Sequence, residues 1–226
     1  FFKKFYMHST VQNLLSIQAS IKSKLLEIKE KSRIPKIIAV SKTFQINHIL
    51  PLIEYGHLDY GENKVQEAID KWTAIKLNHP KIKLHLIGKL QTNKVKFAIK
   101  LFDYIHSVDN EKLAKKISDE ENKINKKIKI FIQVNIGNEE QKSGIKKKQL
   151  QEFYLYCKNL NLDVIGLMCI PPFNEDPILY FKEMQTLNGT LKLDELSMGM
   201  STDYIEAANY SSTFLRIGSS IFGQRV

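Results

Sequence analysis

Three short stretches place reactive groups at the tips of apolar runs. The segment PKIIAVSK (35–42) carries Ile37, Ile38, Ala39 and Val40 and then ends on Ser41 and Lys42. A strand buried on both faces gains nothing from an ammonium at its tip. An amine held among apolar groups has its pKa drawn below the ordinary ~10.4, because the charged form is poorly solvated. The neutral amine can then condense with an aldehyde to form a Schiff base. The other two stretches, ELSMGMSTDYIEAA and TFLRIGSSIFG, present Ser201 and Thr202, then Gly218, Ser219 and Ser220, each after an apolar run and before a helical one. Short hydroxyl side chains, exposed backbone N–H groups and a helix start make an anion site. One such turn alone reads better as a helix cap, but two in succession point to phosphate.

The elements that must position these groups follow from periodicity. Residues 9–33 place Val11, Leu14, Leu15, Ile17, Ile21, Leu25, Leu26 and Ile28 on one face of a long amphipathic helix. Ser9 and Gln12 read as a capping box at its start, and Pro35 ends it. Short apolar runs then recur at 36–42, 57–63, 82–88, 103–109, 129–136, 163–170, 195–201 and 213–223. Helix-like stretches lie between them, among them 64–75, 94–102, 110–124 and 146–160. Strand and helix alternating in this way is the pattern of parallel βαβ units. The expected fold is α/β: a (β/α)8 TIM-type barrel over about 36–223 with an extra N-terminal helix over about 9–33, the whole of 1–226 forming a single domain. The alternative, an open dinucleotide-binding sheet, would need a glycine fingerprint after its first strand, and SKTFQ has no glycine there.

In such barrels chemistry gathers at the carboxyl ends of the strands, and the loops after the last two strands commonly hold phosphate. Lys42, Glu62 with Asn63, the segment from His85 to Gly88, Asp109, Asn135, Ser201 with Thr202, and Gly218 to Ser220 would then converge on one mouth. A phosphorylated aldehyde that needs both an amine and an anion site is pyridoxal 5′-phosphate.

Composition removes other classes. The chain has 226 residues, 43% of them hydrophobic and 26% charged, as a globular protein with a sizeable core should. No apolar run nears the ~20 residues that cross a bilayer. The net charge of +10 suggests nucleic acid, yet only Arg33, Arg216 and Arg225 are arginines, and the lysines are scattered. Aromatic and basic residues do not alternate as a stacking platform requires, so nucleic-acid binding is not expected. Cys157 and Cys169 have no metal-ligand spacing, and neither a metal site nor a disulfide is expected. The start FFKKFYMHST is too short and too charged for a signal peptide. Met7 reads as the natural start, and a cytoplasmic location is expected.

The segments IIAVSKTF, YGENKVQEAIDKW, LHLIGKLQTNK, VNIGNEEQKSGI, GLMCIPP, LSMGMSTDYIEAA and RIGSSIFGQR occur in that order. Together, from 36 to 225, they resemble the pyridoxal phosphate homeostasis protein family, the barrel-only relative of the alanine racemase type of pyridoxal enzyme. The resemblance implies that Lys42 carries the Schiff base and that Ser201, Thr202, Gly218 and Ser219 hold the phosphate. It further implies that Arg216 meets the pyridine nitrogen and keeps it unprotonated, and that Asn63 and His85 line the ring. Leu84, where an aromatic residue is frequent, and Ser219, where Thr is frequent, are small departures.

Holding a cofactor is not turnover. Racemisation needs two positioned bases. In alanine racemases the second base resembles a tyrosine from a separate domain, and the sequence stops at Val226 without one. No catalytic residue is therefore assigned. The expected function is a non-catalytic protein that buffers pyridoxal 5′-phosphate or delivers it to apo pyridoxal enzymes. Lys89, Lys94 and Lys142 are candidates for a second amine that takes over the aldehyde. The alternatives are a racemase of narrow specificity and a barrel for some other phosphorylated metabolite. A monomer is expected, the exposed face of the first helix being the surface that could pair.

Overall fold

The computed structural model describes residues 7–27 and 33–224. The first helix, α1, spans Ser9–Glu27 and buries Val11, Leu14, Ile17, Ile21 and Leu25. The expected continuation through Ile28 to residue 32 lies outside the described residues, and Arg33 is not helical. The capping box is corrected too. Ser9 is already the first helical residue, and His8 does the capping: its Nδ1 accepts from the Thr10 N–H at 3.3 Å, while Gln12 reaches back to the Met7 carbonyl.

From there strands and helices alternate as β1 (Lys36–Val40), α2 (Ile46–Tyr55), β2 (Asp59–Glu62), α3 (Val65–Asn78), β3 (Lys83–Leu86), α4 (Val95–Leu101), β4 (Tyr104–Val108) and α5 (Glu111–Ile124). The second half runs β5 (Lys129–Asn135), β6 (Ile145–Lys146), α6 (Leu150–Asn159), β7 (Asp163–Cys169), α7 (Pro177–Thr190), β8 (Glu195–Ser197), α8 (Tyr204–Asn209), β9 (Phe214–Ile217) and α9 (Ser219–Phe222). Single 3₁₀ turns precede α4 and α6. All pairings are parallel, in the order β4-β3-β2-β1-β9-β8-β7-β5, and β4 also pairs with β5. Eight strands therefore close a barrel, as expected from the eight apolar runs. The two-residue β6, which the apolar pattern does not reveal, pairs with the carboxyl end of β5.

Period-two alternation divides the apolar residues between two cores. Ile37, Ala39, Tyr60, Leu84, Ile105 and Ile130 face outward and pack under the helices. Ile38, Val40, Tyr104, Phe131, Met168 and Phe214 fill the barrel interior. The ninth helix has only four residues and cannot cover its sector. The face it leaves is covered by α1, which packs against α8, α9 and α2 and donates from Asn13 to the Ile221 carbonyl.

Phe131 is fully buried in the inner core, stacked on His106 at 4.2 Å between centroids. Phe131→Ala should cost about 3–5 kcal/mol of stability. Urea unfolding measures this directly, and a loss under about 1 kcal/mol would show that the interior collapses around the gap.

Candidate functional site

Along β1 the side chains of Ile38 and Val40 point inward and those of Ile37, Ala39 and Ser41 outward, so the next inward position belongs to Lys42. Lys42 is half-buried at the carboxyl end of the barrel. It lines a cavity of about 490 Å³ together with Asn63, Met200, Ser201, Thr202, Arg216, Gly218 and Ser219. The structure thus brings together seven of the eight residues singled out in the sequence. Ile87, Ile170 and the exposed Phe173 form its apolar wall.

The turns after β8 and β9 meet at one oxygen. The backbone N–H groups of Gly218 and Ser220 both donate to Ser201 Oγ, at 3.2 and 3.4 Å, and Ser220 Oγ donates to the Ser201 carbonyl. Asp203 holds the first of these turns by accepting from the Met200 N–H. Burial raises the Asp203 carboxyl above its ordinary value. Gly199 has a φ of +88°, and an added Cβ would lie 2.5 Å from that of Ala207, so only glycine fits there. At the opposite wall Gly88 lies directly against the backbone of Asn63, which draws the turns after β2 and β3 together.

Arg216 is 5% exposed and lies on β9, opposite Ile38 of β1. Its guanidinium donates to Ser197 Oγ and to the Cys169 carbonyl, both at 2.8 Å. Burial draws its pKa below the ordinary value. His85 is the residue that the structure sets apart from the cavity. It is fully buried on β3, stacked on Tyr104, with its two nitrogens turned to His106 and Asp59.

What sequence reasoning missed is the clamp on the Lys42 turn. Glu62 is outward-facing and fully buried. Its Oε1 accepts from Ser41 Oγ at 2.8 Å, Trp72 Nε1 at 2.9 Å and Lys71 Nζ at 3.0 Å. Lys71 also donates to the Ser41 carbonyl and to Glu67, and Glu67 accepts from the Thr43 N–H at 2.6 Å. Thr43 has a φ of +69°, a strained conformation for a β-branched residue. The residues on both sides of Lys42 are therefore pinned by charged groups. The signal was present in YGENKVQEAIDKW, where Glu67 and Lys71 lie four apart on α3.

The remaining strand-end residues shape the rim. Asn135 donates to the Glu139 and Lys142 carbonyls and so folds the loop after β5, and Asp109 accepts from the Gly144 N–H. Lys89 and Lys142 line an adjoining cavity of about 330 Å³, which shares Asn63, Ile87 and Ile170 with the first. Lys94 lines neither. Among the described residues there is no His, Cys, Asp or Glu cluster that could hold a metal, and no helix long and apolar enough to cross a membrane. Both cysteines are buried, with thiols pushed up to about 12 by burial.

The profile of the family described as alanine racemase, N-terminal domain, matches residues 18–226. The chain is 36% identical over 230 residues to the pyridoxal phosphate homeostasis protein of Vibrio cholerae, covering 97% of this chain and 98% of that one. It is 38% identical over 200 residues to the protein of that name in Aquifex aeolicus, covering 84% and 87%. Among solved structures it resembles PipY of Synechococcus elongatus, known with and without PLP bound, at 31–32% identity and a TM-score of 0.79, over 90% of this chain and 100% of that one. An alanine racemase of Clostridium difficile shares the fold at 17% identity and a TM-score of 0.72, over 96% of this chain but 57% of the racemase.

Replacing Lys71 with methionine would leave the Glu62 carboxylate buried without its cation. The expected loss of stability is about 3–5 kcal/mol in urea unfolding. A loss below about 1 kcal/mol would mean that the clamp is not a buried ion pair in solution.

Proposed function

The chain belongs to the pyridoxal phosphate homeostasis protein family, built on the alanine racemase N-terminal domain, and on that premise we propose that it holds pyridoxal 5′-phosphate at the barrel mouth and buffers or delivers it inside the cytoplasm. One observation carries this reading: Lys42, Arg216 and the paired turns at Ser201 and Gly218 face a single cavity.

The residues present fit the cofactor. Two backbone N–H groups already converge on one oxygen, Ser201 Oγ, and a phosphate oxygen can take the same donors. Thr202 and Ser219, both exposed, add hydroxyls on the open side. Lys42 Nζ is the attachment point, held in place by the clamp on Ser41 and Thr43. Arg216 would donate to the ring nitrogen and, holding its own protons near neutral pH, would leave that nitrogen unprotonated. Asn63 lines the cavity wall and would close it beside the ring. When bound, the cofactor supplies an aldehyde that condenses with an amine, releasing one water, and can pass from one amine to another.

Holding rather than turnover is favoured by the pattern of relatives. Proteins named for homeostasis match along 87–98% of their length, whereas the racemase chain is covered over 57%. The shared fold keeps a racemase of narrow specificity as the second reading. For delivery, Lys89 and Lys142 at the adjoining cavity are the second amines best placed to take the aldehyde. The working unit is a monomer.

Incubation with pyridoxal 5′-phosphate should give a visible absorption band, and borohydride should fix the pyridoxyl mass on the peptide that holds Lys42. Lys42→Ala should show neither. A colourless, unlabelled wild type would remove the function proposed here, and loss of optical activity from an L-amino acid, abolished in Lys42→Ala, would favour the racemase. For delivery, Lys89→Ala or Lys142→Ala should slow release to an apo-enzyme roughly ten-fold, about 1.4 kcal/mol. Unchanged rates in both would rule out an acceptor lysine at these positions.

A further inference from the structure

The inside of the barrel contains a continuous polar line that the cofactor reading does not use. Asp59 Oδ1 lies 3.0 Å from His85 Nε2, and His85 Nδ1 lies 3.0 Å from His106 Nε2. His106 Nδ1 lies 2.9 Å from Ser197 Oγ, which accepts from Arg216 Nη1 at 2.8 Å. His85, His106 and Ser197 are fully buried. Each imidazole is wedged against a ring, His85 on Tyr104 and His106 on Phe131, both at 4.2 Å between centroids. The line starts at the amino end of β2, where Asp59 borders a cavity of about 430 Å³ beneath α1, and ends at the mouth.

The two ends fix the direction of every hydrogen bond. A carboxylate only accepts, so His85 donates from Nε2 and its Nδ1 is left as an acceptor. His106 must then donate from Nε2, which turns its own Nδ1 into the acceptor for the Ser197 hydroxyl. Arg216 only donates. All four bonds therefore run one way, from guanidinium to carboxylate, with both imidazoles neutral. Burial lowers the pKa of both histidines, that of His106 well below its ordinary value with help from His85 and Arg216. Burial pushes Asp59 up most strongly, but the hydrogen bond from His85 together with the electrostatic pull of His85, His57 and Lys36 outweighs it and holds the carboxyl below its ordinary value. Lys36, Asp103 and His57 face the His85–Asp59 end, and Asp203 and Cys169 face Arg216.

We propose that Asp59, His85, His106 and Ser197 are positioning residues that fix the orientation and charge of Arg216 through a one-way hydrogen-bonded relay across the barrel. Each hydroxyl and imidazole turns its negative end toward Arg216, and bonds aligned in this way polarise one another. The guanidinium is thereby held charged by neutral partners and keeps its remaining donors for the cavity. The effect on a bound ring rests on the function proposed above, whereas the relay itself does not.

The first test needs no cofactor. Long-range ¹H–¹⁵N spectra at pH 7 should show the side chains of His85 and His106 as neutral Nε2–H tautomers. Assignment rests on the loss of one signal in each of His85→Gln and His106→Gln. An Nδ1–H tautomer or an imidazolium at either ring would overturn the relay. The second test uses pyridoxal 5′-phosphate. Ser197→Ala and Asp59→Asn should each raise its Kd roughly ten-fold, as loss of a hydrogen bond to a charged group does. Each should also move the visible absorption maximum, which a merely structural role would not, and Ser197→Thr should restore it. Wild-type Kd and band position in both variants would overturn the link to Arg216. If the wild type binds no pyridoxal 5′-phosphate, the functional reading fails, and the tautomers still decide the relay.

Discussion

The carboxylate of Glu62 has no contact with water, and much of the mouth is arranged around meeting its charge. A buried charge must be paired and hydrogen-bonded or it unfolds the site. Here three donors from two elements converge on one oxygen: the hydroxyl at the end of β1 and the indole and ammonium of α3. That requirement ties strand to helix across the outer core. It also fixes the backbone on both sides of Lys42, because the same ammonium holds the Ser41 carbonyl and Glu67 holds the Thr43 N–H. The positive φ of Thr43 is the local strain this arrangement sustains.

Polar groups inside the barrel obey the same rule differently. The relay from Asp59 to Arg216 keeps its only formal charges at the ends, where one faces a cavity under α1 and the other the mouth. Between them lie two stacked imidazoles and a hydroxyl, neutral and hydrogen-bonded, which is how polar groups are tolerated in a packed core. The inner core is thus apolar at Ile38, Val40, Met168 and Phe214 and polar along one line, and that line determines where Arg216 can point.

What was legible in the sequence was whatever repeats locally. Eight apolar runs showed a barrel because each strand announces itself as a short local run, and Lys42 stood out because an ammonium ends one of them. The turns at Ser201 and Gly218 were legible because hydroxyls and glycine follow an apolar run directly. The partners of buried polar groups were not. His106 meets Ser197 across 91 positions, and period-two alternation gives a side chain's face without giving the residue opposite. The family resemblance made His85 a ring-lining residue, and it carries no information on height in the barrel. The structure places it opposite Gly61 and Tyr104, one step below the inward Ile87 that reaches the cavity. The start of α1 was misread because a histidine imidazole does the work usually given to serine.

The openness of the mouth bears on what such a site can do. Thr202, Ser219 and Phe173 are exposed at its rim, and Lys42 is half-buried rather than enclosed. A site that must control a carbanion gains from excluding water, because its dipoles act most strongly where solvent is absent. A site that must take up an aldehyde and later release it to another amine needs the reverse: an attachment point within reach and a rim that lets a second amine approach. In this protein rigidity is concentrated at the back of the cavity, at Arg216, and beneath the lysine, at Glu62, while the side facing outward is built from small hydroxyls and one unsupported phenyl ring. Holding firmly from behind and remaining accessible from the front suits the storage and transfer proposed for it.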